Sequence, residues 1–272
     1  MAQARRLVFV PVLTMLPLLG ATIIASTASA PRQYPAADKV FRWVGRVTVQ
    51  RPNGAAPNAT AVAVGPHTLL TTAHVRNVTQ VTLEGKSYDV VSTVEAGKLG
   101  GGYVDLRALK TSTKLPGWYS LAPAVTAGTR IQMVGCGRSG WVNAKGTGYA
   151  VDGGEGVRRA GVNTIDQKQV VNGAGPSLLS SLKKAGDAVV GVFDSGGGWF
   201  SNGKLVGISA FTFNASRQGD KAQCPDYGFA SANVAGFDGP GGRVPAGQPY
   251  FLSGAVDVTD PGVAAWIKEQ IG

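Results

Sequence analysis

The sequence predicts an all-β protein built in two halves and closed by one helix at its C-terminus. Only 15% of the 272 residues are charged and 39 are glycine, and short apolar runs separated by turn residues recur along the chain. This pattern is typical of β-strands joined by tight turns. A polar stretch that contains prolines, residues 111–128, divides the strand-rich sequence in two. Helical periodicity is confined to the tail.

The predicted elements follow one another along the chain. Strand signals fill the first half, resume at residues 130–134 and continue towards the tail. There, Thr259 or Asp260 can cap a helix that has Pro261 in its first turn. The expected apolar face of this helix consists of Val263, Trp266, Ile267 and Ile271. The strands expected in the first half are residues 40–50, 60–64, 69–72, 81–83 and 88–94.

Residues 1–30 have the composition of a secretory signal peptide. Arg5 and Arg6 give a basic start, a long apolar run follows, and small residues end the segment. The run is nearly long enough to span a membrane as an anchor, but Pro11 and Pro17 interrupt it and the small-residue ending favours cleavage. The sequence therefore predicts a secreted, extracellular protein with no stable membrane insertion after cleavage.

The charge pattern and the few cysteines and histidines exclude several classes of function. The net charge is +10, but the basic residues are scattered and form no stripe with interleaved aromatic residues, so we expect no nucleic-acid partner. Two cysteines and two histidines are too few, at these spacings, for a usual structural zinc site, so no metal is expected. Cys136 and Cys224 allow one disulfide, which export favours, although the sequence leaves open whether they meet.

A serine between an acidic residue and a run of glycines, in residues 193–198, is the strongest chemical signal. An apolar run precedes it and a turn with a further strand follows, so Ser195 is expected on a tight, exposed turn. Gly196 and Gly197 permit positive φ and close approach of another backbone, and successive amides in such a turn can point at one anion. Alone, such a segment is more often a glycine-rich surface turn than a catalytic site, so catalysis requires a base elsewhere in the chain.

The candidate base is one of two histidines. His67 lies in a turn between predicted strands and is expected at the surface, whereas His74 ends an apolar strand, where an imidazole is either structural or catalytic. Asp105 lies in an apolar setting that acidic residues rarely enter without a partner. It can cap a turn, pair with an arginine or orient a histidine. Asp89 ranks second because it stands in the middle of an alternating strand, where it can face water.

The order His74, Asp105, Ser195, with the residues around each, resembles the trypsin-like (chymotrypsin-fold) serine proteases. Each segment is ambiguous by itself, but all of them in this order are specific, and the resemblance runs from about residue 44 to the end. Where the family has a Gly-Trp-Gly segment, this chain has Cys136 between two glycines. The segments that carry the resemblance are residues 72–74, 104–109, 134–137, 194–197, 203–209 and 266–267.

The resemblance implies two antiparallel six-stranded β-barrels packed together with a C-terminal helix. It also implies a secreted serine endopeptidase, a monomer that cleaves proteins or peptides without a cofactor. His74 would act as general base, Asp105 would orient its ring, and Ser195 would attack the substrate. The backbone amides of Phe193 and Ser195 would form the oxyanion hole. The implied division is a signal peptide at residues 1–30, a short prosegment at 31–43, an N-terminal barrel at 44–118 and a C-terminal barrel with the helix at 119–272.

Two departures from the family concern the oxyanion hole and activation. Phe193 stands where the family usually has glycine, and its side chain restricts the backbone that carries one oxyanion amide. The chain has no clear Ile-Val-Gly-Gly start. In the family, the aspartate before the serine pairs with such a new N-terminus, so Asp194 is expected to find another partner.

The expected substrate pocket is apolar. Its floor is expected at Val189 and Val190, and its wall at Ser209, Ala210 and Phe211, where the family often has Ser-Trp-Gly. A bulky Phe211 narrows such a pocket. The resemblance therefore predicts small or apolar side chains before the cleaved bond and no strong preference for lysine or arginine.

Two other interpretations stay open at the level of the sequence. A protease homologue that has lost catalysis and binds a partner is motivated by Phe193 and by the altered pocket wall at residues 210–211. A secreted carbohydrate- or surface-binding β protein would use the serine–glycine run only as a turn. A separation of about 3 Å between the ring nitrogen of His74 and the hydroxyl of Ser195 distinguishes both protease interpretations from the last one.

Overall fold

The first half of the chain forms a closed antiparallel barrel of six strands, β2 to β7. A computed structural model describes residues 24–25, 39–138, 140–142, 149–151, 156–182, 187–191, 193–216, 231–232, 237–239, 242–244 and 250–272. Around the barrel the strand order is β2-β3-β4-β7-β6-β5. The strands are β2 (Val44–Arg51), β3 (Gly54–Gly65), β4 (Thr68–Thr71), β5 (Val78–Leu83), β6 (Lys86–Leu99) and β7 (Gly102–Thr111).

Alternation of apolar residues explains how this barrel fills its interior. In β2, buried valines alternate with more exposed residues, as expected for a strand with one face towards a core. Removing these side chains from water is the main stabilising contribution to such a barrel. The interior includes Val47, Val49, Leu69, Val81, Leu83 and Leu109, all nearly inaccessible to solvent.

The second half forms a larger curved sheet. Its strand order is β11-β8-β15-β16-β20-β13-β12, and β17 pairs with β16 in addition. The hydroxyl of Ser180 in β13 donates to the carbonyl of Thr164 in β11 (2.8 Å), so strands near opposite ends of this order meet as the sheet curls. The strands are β8 (Arg130–Gly135), β11 (Arg159–Thr164), β12 (Gln167–Val171), β13 (Gly175–Ser181), β15 (Gly198–Ser201), β16 (Lys204–Ser216), β17 (Ser231–Ala232) and β20 (Tyr250–Asp257).

Shorter strands complete the β structure. β1 (Ile24–Ala25) belongs to the predicted signal peptide and lies between β9 (Gly140–Val142) and β14 (Ala188–Val189). The rest of residues 1–30, and the predicted prosegment up to residue 38, lie outside the described residues. The remaining strands are β10 (Tyr149–Val151), which pairs with β9, and the pair β18 (Phe237–Gly239) and β19 (Gly242–Val244).

The C-terminal helix, α1 (Pro261–Ile271), joins the two halves. The carboxylate of Asp260 caps it by accepting hydrogen bonds from the amides of Gly262 (3.0 Å) and Val263 (3.2 Å). At the other end, the hydroxyl of Thr68 in the first barrel donates to the carbonyl of Gln270 (3.0 Å). Within the described part of the chain, no helix is long and apolar enough to cross a membrane.

Both halves contribute to one shared core. Phe41 packs against Phe200 with ring centroids 5.0 Å apart, and Tyr119 packs edge-on against the same ring at 4.7 Å. Trp43 lies 5.2 Å from Tyr119. Further buried members of this core are Val44, Leu70, Leu106, Ile208, Val263 and Ile267. The predicted fold class is therefore confirmed: an all-β molecule with a closed barrel, a second packed β unit and a C-terminal helix.

Candidate active site

The pairing of β4 with β7 brings His74 and Asp105 together. In this antiparallel pair, Thr71 lies opposite Arg107. His74 follows Thr71 by three positions, and Asp105 precedes Arg107 by two. Because the two strands run in opposite directions, both side chains arrive at the same end of the pair.

Hydrogen bonds between these residues fix the histidine ring. The amide of His74 donates to Oδ1 of Asp105 (3.0 Å), and ring Nδ1 donates to Oδ2 (2.7 Å). A carboxylate can only accept, so the proton of a neutral ring lies on Nδ1 and Nε2 carries the lone pair. The hydroxyl of Ser195 donates to this Nε2 at 2.9 Å, and the hydroxyl of Thr72 lies 3.3 Å from the same nitrogen.

The side chains of Asp105 and His74 differ in their exposure to solvent. The Asp105 side chain is 10% exposed, whereas the His74 side chain is 47% exposed and can be reached by a substrate.

The other histidine and the second-ranked aspartate lie outside this hydrogen-bonded group. His67 is exposed and bonds through Nδ1 to the carbonyl of Thr111, and Asp89 is exposed on β6 and accepts from Gln80.

Two glycines allow the tight turn that presents Ser195. Gly196 has φ of +85°, and a Cβ atom there would lie 2.0 Å from the carbonyl oxygen of Thr60. A Cβ atom on Gly197 would lie 2.4 Å from the carbonyl oxygen of Val134. The amide of Gly196 donates to the carbonyl of Ser209 (2.8 Å), which ties the turn to β16. Any side chain at these two positions would displace Ser195.

Phe193 adopts the backbone conformation that usually requires glycine. Its φ is +69°, in the left-handed region, where a Cβ atom is sterically disfavoured. Its ring lies 5.7 Å from the guanidinium of Arg138. Among the described residues, neither the amide of Phe193 nor that of Ser195 donates to an acceptor.

Asp194 has partners that need no new N-terminus. Its carboxylate is buried and accepts from the amides of Gly137 (2.9 Å) and Gly191 (2.8 Å). Burial raises the pKa of Asp194 to about 6, although both amide hydrogen bonds and the positive charge of Arg159 act in the opposite direction. Arg159 is buried, and it lies opposite Gly135, which is beside the Asp194 carboxylate. The sequence gives no sign of this arrangement because it depends on the pairing of β11 with β8.

Cys136 is a buried cysteine next to Gly137, whose amide donates to this carboxylate. Burial raises the pKa of its thiol to about 12, which disfavours the reactive thiolate. Cys224 lies outside the described residues, and the pairing of the two cysteines stays a prediction.

The residues expected to form the pocket are largely buried. Val189 and Val190 are both inaccessible, and the amide of Val190 donates to the hydroxyl of Ser253 (2.9 Å). The hydroxyl of Ser209 accepts from the indole of Trp199 (3.0 Å). The register of β16 against β20 shifts between Ser209 and Phe211, which places buried Ala210 in a bulge.

The Phe211 ring occupies the space above Gly254. A Cβ atom on Gly254 would lie 2.0 Å from Cζ of Phe211, and two more ring carbons lie within 2.4 Å of the same point. The ring is half-buried and also packs against the cluster formed by Leu179 and Leu252. Phe211 therefore fills space that the glycine leaves open.

Comparisons with known proteins identify the fold. No family model and no curated protein matches the chain. Among solved structures, the chain is similar to neuropsin, a serine protease expressed in the limbic system of mouse brain, with a TM-score of 0.54 and 14% identity over 85% of this chain and 95% of that one. It is also similar to an inactivated protease paralogue of the scabies mite, with a TM-score of 0.52 and 14% identity over 85% of this chain and 96% of that one. Both similarities show the chymotrypsin fold expected from the sequence.

Proposed function

We propose that this protein is a secreted serine endopeptidase. The observation that carries the proposal is the continuous hydrogen-bonded chain from Asp105 through His74 to Ser195, with distances of 2.7 Å and 2.9 Å. It lies in a fold shared with proteases, and the leader at residues 1–30 supports export. Proteins or peptides outside the cell are the proposed substrates, and the proposed active form is a monomer.

The proposed reaction uses each residue in a distinct role. Ser195 Oγ attacks the peptide carbonyl while Nε2 of His74 accepts its proton, and Asp105 stabilises the resulting imidazolium. The amides of Phe193 and Ser195 donate to the oxyanion. His74 then protonates the leaving amine, and an acyl group remains on Ser195. A water molecule, deprotonated by the same nitrogen, hydrolyses this ester and releases the enzyme.

We further propose that activity does not depend on a new N-terminus. The buried carboxylate of Asp194 already accepts two backbone hydrogen bonds and feels the charge of Arg159. Phe41 and Trp43 are packed into the shared core. A prosegment that includes these two residues would remove core side chains when it is cleaved, so we propose that the mature chain begins upstream of Val40.

The proposed specificity is for small side chains before the cleaved bond. Phe211 lies in the expected pocket wall and fills the space above Gly254. Val189 and Val190, the expected floor, present no charge to a lysine or an arginine. Alanine and glycine are therefore the preferred residues at this position of the substrate.

A second candidate function is a secreted binding protein that keeps the fold without catalysis. It is favoured by Phe193, a bulky residue in a backbone conformation that glycine adopts more easily. One protein of similar fold is itself described as inactivated. The intact hydrogen bonds of His74 favour the peptidase.

Hydrolysis of a quenched fluorescent peptide library by the purified protein tests the proposal. The intact protein should cleave after alanine or glycine, and Ser195→Ala and His74→Ala should each lower the rate by about 10³-fold or more. Thr68→Val, a buried substitution far from the site, controls for handling and contaminants. Equal rates for the intact protein and Ser195→Ala would refute the proposal.

A further inference from the structure

The conformation of Phe193 has to be maintained by its surroundings. A residue with a side chain persists in the left-handed region only where the surrounding structure over-determines it. Within the turn, the amide of Asp194 donates to the carbonyl of Gly191 (3.3 Å), and the Asp194 carboxylate accepts from the amide of Gly191 (2.8 Å). A further constraint comes from another part of the fold. The contacts of this turn identify that part as β3.

Thr60, in β3, contacts the turn at two points. Its hydroxyl donates to the carbonyl of Phe193 (3.1 Å) and accepts from the amide of Cys136 (2.9 Å). Its own amide donates to the carbonyl of Ser195 (2.9 Å). Thr60 is completely buried, so water cannot replace these bonds. It therefore holds both ends of the segment that presents the nucleophile.

Thr60 is itself fixed to the strand that leads to the histidine. The hydroxyl of Thr71 in β4 donates to the carbonyl of Thr60 (2.8 Å), and both threonines are fully buried. His74 follows Thr71 by three positions. Thr60 therefore links the strand that leads to the base with the turn that carries the nucleophile, although the base and the nucleophile lie in different halves of the chain.

We infer that Thr60 is a positioning residue that keeps the amide of Phe193 oriented for the oxyanion. This inference rests on the proposed peptidase function and extends it. The Phe193 carbonyl is anchored by Thr60, and Gly191 on the preceding side is anchored through its amide. Rotation about the N–Cα bond of Phe193 towards the sterically preferred regions moves these two sides against each other and is therefore opposed. Without the hydroxyl of Thr60, Phe193 relaxes from φ of +69° and its amide turns away. Transition-state stabilisation then falls, whereas ground-state binding of the peptide changes little.

Three variants separate positioning from general stability. Thr60→Val has nearly the same shape but no hydroxyl, and Thr60→Ser restores the hydroxyl. Thr68→Val is the matched control, because Thr68 is also buried and its hydroxyl also donates to a carbonyl, that of Gln270. It accepts from Lys110 at 3.2 Å. Each valine variant therefore loses one donated and one accepted hydrogen bond, at the turn for Thr60 and at the C-terminal helix for Thr68.

Steady-state kinetics on an alanine-containing peptide measure the effect. Thr60→Val should lower kcat by about 10- to 100-fold with KM changed less than about 3-fold. Thr60→Ser should recover most of the rate, and Thr68→Val should match the intact protein. A fall in kcat shared by both valine variants, or none in Thr60→Val, would overturn the inference.

Hydrogen–deuterium exchange gives a readout that needs no catalysis. The peptide covering residues 193–197 should exchange at least about 10-fold faster in Thr60→Val than in the intact protein, and should be unchanged in Thr68→Val. Unchanged exchange in Thr60→Val would refute the inference even in an active enzyme. Faster exchange in a protein that cleaves no peptide would support Thr60 as the anchor of the turn and refute the peptidase.

Discussion

Replacing Phe193 by glycine tests how the oxyanion amide is oriented. Phe193 already has φ of +69°, the region that glycine enters freely. If this backbone is the productive one, Phe193→Gly leaves the amide where it is. We therefore expect kcat/KM to change less than about 3-fold, equivalent to about 0.7 kcal/mol. Phe193→Ala keeps the constraint on φ and removes only the ring.

The stability of these two variants follows from three contributions. Relief of the left-handed conformation stabilises Phe193→Gly by about 1–2 kcal/mol, and the greater freedom of the unfolded glycine chain offsets about 0.5–1 kcal/mol. Both variants lose the contact of the ring with the guanidinium of Arg138, worth about 0.5–1 kcal/mol. Phe193→Gly should therefore be more stable than Phe193→Ala by about 0.5–1 kcal/mol, and within about 1 kcal/mol of the intact protein.

Urea unfolding and the rate of fluorophosphonate labelling measure these effects. A Phe193→Gly variant that labels about 10-fold faster than the intact protein would show that Phe193 impairs the oxyanion hole. This result would favour the second candidate function, a secreted binding protein without catalysis. A Phe193→Gly variant less stable than Phe193→Ala would refute the argument from backbone strain.

Three further predictions concern the pocket, the buried carboxylate and the N-terminus. Phe211→Ala should increase cleavage after phenylalanine relative to alanine on a peptide library, because it clears the space beside Gly254; an unchanged profile would contradict this. A pKa of Asp194 near 6 means that the folded state binds this proton more tightly than the unfolded state. In urea unfolding, the free energy of unfolding of the intact protein minus that of Asp194→Asn should thus fall by about 2 kcal/mol from pH 4 to pH 6.5, and a constant difference would show a carboxylate ionised throughout. Truncation before Val44 should cost about 3 kcal/mol or more because it removes Phe41 and Trp43 from the core, and melting equal to that of a chain starting before Val40 would refute it.

Local patterns in the sequence predict most of the fold and bring forward His74, Asp105 and Ser195 as the candidate catalytic residues. The helix was predictable because Asp260 and Pro261 give a start signal and the apolar residues after them share one face. His74 and Asp105 were distinguishable from His67 and Asp89 by their apolar neighbours, and the geometry makes the same distinction.

The supporting residues had no local signal. The hydroxyl of Thr60 meets Phe193 across 133 positions of sequence and Cys136 across 76. Gly137 reaches Asp194 across 57 positions. These contacts depend on how the two halves pack. A threonine in an apolar strand gives the same sequence pattern whether its hydroxyl anchors a distant turn or bonds within its own sheet. The pairing of β1 with β9 and β14 is equally a property of tertiary structure.

Covalent labelling with a fluorophosphonate probe, read by intact mass, shows whether Ser195 is an activated nucleophile. The probe reacts with a serine only when a base and an oxyanion hole activate it. The folded protein should gain one probe adduct at Ser195, and Ser195→Ala should gain none. Absence of the adduct in a protein whose circular dichroism shows an intact fold would contradict the account and favour a binding protein on a protease fold.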